Sequence, residues 1–205
     1  MTQNHFDKAA NDWDQKKRRQ ELAKAIAENI ALLPLNNKMT AMEYGCGTGL
    51  VGLALASRLR SLVMMDTSSG MVEVLNTKIN EMNLSNVSSH LFDLTKGNYD
   101  GHFDLIFSAM TLHHIDNTEL ILKNLCQLLN KDGYLAIADL DSEDGSFHSP
   151  GAGEKHHGFN RDVLAEMLRN FGMSSITFKT VHTINKVDDT QKAKSYPIFL
   201  VTAQK

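Results

Sequence analysis

Apolar positions along the chain fall into two alternating rhythms. Leu22, Ala25, Ile26, Ile30 and Leu33 recur at helical spacing, so the pattern predicts an amphipathic helix over Arg18–Leu33, ended by Pro34. Short apolar runs predict strands at Met39–Tyr44, Ser61–Met65, Val87–Phe92, Phe103–Ser108 and Tyr134–Asp139. Between them, helical periods fall at Leu50–Leu59, Ser69–Met82 and Asn117–Leu129, the last stopped by Asn130-Lys131-Asp132-Gly133. A helix over Asn160–Phe171 follows. The tail then breaks the rhythm, because Ser174–Lys186 and Tyr196–Gln204 are strand-like with no helix between them.

Strands alternating with helices predict a mostly parallel sheet covered on both faces, and the last two runs predict an antiparallel pair. One connection, Thr95–His102, is too short for a helix. If the strand after it lies beside the first strand, the span is about 14 Å at ~4.8 Å per strand step. Eight residues reach roughly 26 Å, so a loop suffices.

Composition narrows the class. The chain has 205 residues, 42% hydrophobic and 22% charged, which is enough apolar material for a core and too little charge for disorder. The net charge of −3 disfavours a general nucleic-acid surface. Two cysteines, Cys46 and Cys126, build no disulfide framework and fit a reducing compartment. The N-terminal residues carry no signal-like apolar run, and no stretch reaches the ~20 apolar residues of a membrane span. The expectation is one cytoplasmic domain over 1–205, with no membrane span and no nucleic-acid partner.

The segment Glu43-Tyr44-Gly45-Cys46-Gly47-Thr48-Gly49 leaves a predicted strand and opens a helix. Glycines there permit positive φ and close approach of a ligand, and the helix start offers free N–H groups. Asp66, at the end of the second strand, is placed to accept hydrogen bonds from a ribose diol. The spacing is G-x-G-x-G, not the G-x-G-x-x-G of dinucleotide sites. Glu43 would repel a pyrophosphate but suits an ammonium or sulfonium group, which favours S-adenosylmethionine over NAD.

These residues and three later motifs resemble the class I S-adenosylmethionine-dependent methyltransferases. The resemblance runs from about Met39 to Asp139 and implies a Rossmann-like, doubly wound seven-stranded α/β sheet of order 3-2-1-4-5-7-6 with strand seven reversed. Leu62–Met71 resembles the second motif, with Asp66 on the ribose, Thr67 beside it and Met71 against the adenine. Phe92, Asp93 and Leu94 fall in the third, with Asp93 toward the adenine amino group. Ser108, Ala109 and Met110 end the fourth, beside the methionine part. With Glu43, Gly45, Cys46, Gly47, Thr48 and Gly49, and with His113, these form the expected cofactor set, and S-adenosylhomocysteine is the implied product. The run Leu112-His113-His114 is similar to that of quinone-biosynthesis methyltransferases, which act on small molecules. The Asn-Pro-Pro-Tyr type of motif is absent after the fourth strand, which disfavours base modification.

Beyond the cofactor, three segments are expected to meet: an N-terminal lid within residues 1–35 carrying Phe6 and Trp13, the stretch Ser108–Ile115, and an insertion over 140–159. A sheet-closing unit over 160–205 follows the cofactor half at 39–139. His113, His114, His148, His156 and His157 are the candidate bases, of which His113, His148, His156 and His157 are carried forward as catalytic candidates. No metal is expected. The acidic run Asp139–Asp144 departs from a calcium loop at Asp144 and Pro150, Ser108 stands where catechol-type enzymes carry an acid, and adjacent histidines such as His113 and His114 usually point apart. Lys16-Lys17-Arg18-Arg19 reads as a solvated helix face. Two other functions fit less well: a non-catalytic S-adenosylmethionine-binding sensor or assembly protein, and an NAD-dependent oxidoreductase.

Overall fold

The computed structural model describes residues 5–148, 153–187 and 193–205. Seven strands form one sheet: β1 (Thr40–Tyr44), β2 (Ser61–Asp66), β3 (Val87–Leu91), β4 (Phe103–Ala109), β5 (Leu129–Leu140), β6 (Ser174–Val187) and β7 (Ala193–Gln204). Their order is β3-β2-β1-β4-β5-β7-β6, with β7 antiparallel to both neighbours. The expected topology is therefore found. The loop after β3 crosses to β4 without a helix, as the length argument required, and Asn124 Nδ2 donates to the Leu94 carbonyl oxygen to hold it.

Among the described residues, six α-helices accompany the sheet: α1 (His5–Ala9), α2 (Lys17–Ile30), α3 (Gly52–Leu55), α4 (Ser69–Glu81), α5 (Thr118–Gln127) and α6 (Arg161–Asn170). Two separate cores result. Ile26 and Ile30 of α2, Leu55 and Leu75 pack with Ala41, Leu105 and Phe107 on one face. Ile121, Leu125, Leu164 and Leu168 of α5 and α6 pack with Met42, Ile106 and Ile137 on the other. Neighbouring strand residues thus serve opposite cores, and the central strands are apolar on both faces. Each fully buried Leu, Ile or Phe contributes about 1.5–3 kcal/mol.

Helix starts follow local chemistry. The Ser68 side chain accepts from Met71 N, Asn117 Oδ1 from Leu120 N, and Asn160 Oδ1 from Val163 N. Two boundaries differ from the sequence reading. The helix expected over Leu50–Leu59 is only α3 plus a 3₁₀ turn at Ala56–Arg58, where Asn86 Nδ2 donates to the Ala56 and Leu59 carbonyl oxygens. The turn Asn130–Gly133 lies inside β5 as a bulge: the register jumps from Phe103↔Leu129 to Leu105↔Tyr134, with Asp132 at φ 63°.

A candidate cofactor cleft and histidine cluster

The cleft opens where β1, β2 and β4 end, at the point where strand order reverses. Gly45 N and Cys46 N donate to the Met65 carbonyl oxygen at 2.8 and 3.0 Å, which pins the glycine loop to β2. Gly45 sits at φ +71°, and a Cβ there would stand 2.2 Å from Thr111 Cγ2. Only glycine fits that position. Asp66 accepts from Gly47 N at 2.7 Å and Ser68 N at 2.9 Å, one bond to each carboxylate oxygen. The carboxylate keeps acceptor capacity for a diol beyond these bonds.

Glu43 is buried, and its Oε2 has no partner among the described residues. Burial raises its pKa well above the carboxylate range; the Gly52 N–H opposes this and the charge of Asp66 adds to it. Burial also raises the pKa of Asp66, against the N–H groups of Ser68, Gly47 and Thr67. An orphaned buried carboxyl oxygen beside a second acid is a poor seat for an anion and a good one for a cation. The residues therefore fit a ligand that carries an ammonium group and a ribose diol together.

Phe6 and Trp13 line the other side of the cleft, their ring centroids 5.8 Å apart. Polar bonds hold their segment down. Asp7 Oδ1 accepts from Ser68 Oγ at 2.6 Å and Gly70 N at 3.0 Å. Asp14 accepts from Thr48 Oγ1 at 2.5 Å and forms an ion pair with Lys78, whose ammonium also donates to the Thr48 carbonyl oxygen at 2.8 Å. The Arg19 guanidinium lies 3.4 Å from the centroid of the Trp13 ring and lines the cleft. The basic run is therefore not wholly a solvated face, as the sequence suggested: burial beside Trp13 lowers the pKa of Arg19.

Of the expected cofactor residues, Glu43, Gly45, Cys46, Gly47, Thr48, Asp66, Thr67, Met71, Ala109 and Met110 line the cleft. Gly49, Ser108 and His113 stand behind it; Ser108 Oγ donates to the Tyr44 carbonyl oxygen at 2.7 Å. Phe92, Asp93 and Leu94 are not in the lining, and Asp93 accepts from Thr95 and Lys96.

The histidines divide. His156 Nε2 lies 2.8 Å from the Ile115 carbonyl oxygen and 3.0 Å from Thr118 Oγ1, and His157 is exposed beside Gly145. His113, His114 and His148 converge, with ring centroids 4.1, 5.0 and 5.2 Å apart. This corrects the expectation that His113 and His114 point apart: the 3₁₀ turn Leu112–His114 folds the two rings together. His113 Nδ1 is 2.6 Å from Asp139 Oδ1, both residues being buried. His114 lines the cleft and meets Phe6 edge-on at 5.1 Å. Burial pushes the pKa of His114 and of His148 down to about 4, and neighbouring His113 adds to both shifts. The sequence reading missed Asp139 as a partner of His113, and missed Arg19 and Asp14. Asp139 was readable only as an acid at a strand end and Arg19 only as part of a basic run; Asp14 gave no signal in the sequence.

Comparison with known proteins agrees with this geometry. Residues 15–183 match the methyltransferase domain family. An uncharacterized methyltransferase of Schizosaccharomyces pombe is 28% identical over 153 residues, which are 67% of this chain and 54% of that protein. The bifunctional biotin-biosynthesis protein BioCD of Bordetella avium is 34% identical over 143 residues, 67% of this chain and 30% of that protein. The chain thus spans about half or less of the length of these relatives. The crystal structure of an S-adenosylmethionine-dependent methyltransferase from Aquifex aeolicus shares the fold with a TM-score of 0.71 at 20% identity, covering 97% of each chain. The chain belongs to the methyltransferase domain family, in its class I, S-adenosylmethionine-dependent form.

Proposed function

We propose that the protein transfers the methyl group of S-adenosylmethionine to a small-molecule acceptor held under the N-terminal segment. The observation that carries this reading is the buried Glu43 carboxyl with its unpartnered Oε2, set beside Asp66 at the mouth of the glycine loop. When bound, S-adenosylmethionine supplies an activated methyl on a sulfonium. Glu43 would receive the ammonium group, Asp66 the ribose hydroxyls, and Met71 an apolar face. Phe6 and Trp13 exclude water from the acceptor side, which favours direct displacement by a desolvated nucleophile.

His114 is the histidine on the cleft wall. With its pKa pushed down to about 4 it is neutral at pH 7, so the wall it forms adds no charge beside the acceptor. A small acceptor fits because aromatic rings and Arg19 close the side opposite the glycine loop. No helix among the described residues is long and apolar enough to cross a membrane.

Calorimetry with S-adenosylmethionine, S-adenosylhomocysteine and NAD tests the cofactor. The first two are expected to bind, and Asp66→Asn to weaken both by about 1–3 kcal/mol. Binding of NAD with no heat from S-adenosylmethionine would overturn the reading. Methyl-labelled cofactor in a metabolite extract tests transfer. Binding without any labelled product would favour a sensor over an enzyme.

A further inference from the structure

We propose that His113, His114 and His148 form a site for one divalent transition-metal ion of the zinc class, behind the wall that His114 shares with the cleft. One ring nitrogen from each lies within 4.8 Å of the other two. Hydrogen bonds and burial mark out the candidate nitrogens. His113 Nδ1 is committed to Asp139 Oδ1, which leaves Nε2. The His114 ring makes a backbone hydrogen bond to Gly153, and its Nδ1 is buried with no partner among the described residues. His148 Nε2 is likewise buried and unpartnered.

Of the three ring nitrogens, those of His114 and His148 are buried and unsatisfied. A single proton joins only two of them. A metal ion satisfies all three. At the ~2.0–2.1 Å of a zinc–nitrogen bond, each nitrogen needs to move inward by less than about 1 Å. Neutral nitrogen donors select zinc, cobalt, nickel or copper over magnesium and calcium, which take oxygen.

The surroundings have the features of a metal site's outer shell. Asp139, fully buried, receives the second ring nitrogen of His113, an arrangement that fixes the tautomer and raises ligand basicity. Asp139 is itself held by Leu140 N at 2.8 Å. Glu154, whose Oε2 is buried and unpartnered, favours positive charge at His148, as Asp139 does. Two carboxylates thus offset one dication. Lys186 acts the other way, but its ammonium is turned onto the Phe147 ring and carbonyl oxygen. Three ligands leave a coordination position open, the arrangement of metal sites that act on substrate. The ion would tie the turn after β4 to the insertion that carries His148.

The test uses the full, untagged chain, stripped with chelator and dialysed against zinc or cobalt. Elemental analysis is expected to give one equivalent of zinc per chain, and cobalt the visible absorption of a four- or five-coordinate nitrogen site. His148→Ala, at a half-buried loop position, is expected to weaken zinc binding by at least about 100-fold, and Asp139→Asn by about 10–100-fold. His90→Ala, at an exposed edge position, is expected to leave binding unchanged. Circular dichroism confirms that each variant folds. Failure of the wild-type chain to take up a stoichiometric ion would overturn the site. So would zinc binding that His148→Ala and His114→Ala both leave intact. None of these readouts depends on cofactor binding, so the site and the proposed reaction can fail separately.

Discussion

The N-terminal segment is fastened over the cleft by a small set of polar bonds, and Asp14→Ala cuts the densest of them. The substitution removes the acceptor for Thr48 Oγ1 and for the Lys78 ammonium. Hydrogen bonds to a charged group are worth about 1.5–3 kcal/mol when screened from water, and exposed ion pairs at most about 1 kcal/mol. These side chains are 23% and 29% exposed, so the lower-middle of that range applies, about 2 kcal/mol. That corresponds to roughly a 30-fold rise in the open population of the segment. The cores of the sheet are untouched, so the loss is local. Two readouts follow. Amide exchange across residues 5–15 is expected to quicken by about that factor. Trp13 is the only tryptophan, so its emission reports the same event and is expected to shift to the red. Unchanged exchange in a variant whose Lys78 and Thr48 contacts are gone would refute the claim that this bond set holds the segment.

Gly70→Ala approaches the same segment from below: a Cβ there would stand 2.9 Å from the Asp7 carbonyl oxygen, so the same red shift of Trp13 is expected, and no shift would mean the seat tolerates a methyl group. Gly45→Ala and Gly172→Ala form a pair. Both residues have positive φ, but only Gly45 has a neighbour in the way, so urea denaturation is expected to show a loss of about 1–2 kcal/mol at Gly172 and a clearly larger one at Gly45. Equal losses would remove the close-approach argument. Burial keeps Glu43 protonated over more of the pH range in the ligand-free protein, and a cationic ligand favours its ionised form. Binding of S-adenosylmethionine is therefore expected to release a proton, with affinity rising as pH rises and levelling once Glu43 ionises unaided. Calorimetry in two buffers of different ionisation enthalpy measures this; identical heats would contradict it, and Glu43→Gln should abolish the difference.

The sheet was legible because its signals are local. Each apolar run and each helical period announces one element, and the Thr95–His102 connection is short enough to force a loop crossing. The bulge in β5 was not legible. Asp132-Gly133 is good turn chemistry, and what keeps it in the strand is non-local: Asp132 N binds the Lys205 carbonyl oxygen, and Lys205 N binds that of Gly133. The glycine loop and Asp66 could be read because motif spacing places them on one strand end each. The Arg19–Trp13 stack depends on how α2 meets the segment before it, which no periodicity reports. The convergence of His113 and His114 depends on a tight turn that the sequence Thr-Leu-His-His does not specify.

The fastening of residues 5–15 also bears on time. Asp7 completes the cap of α4 and Asp14 grips the glycine loop, so both hold the segment whose Phe6 and Trp13 line the cleft. Under the proposed function, ligand exchange is expected to wait for these bonds to break. Turnover is then expected to follow an opening step sensitive to ionic strength through the Asp14–Lys78 pair, and weakening that pair to trade residence time for speed of release.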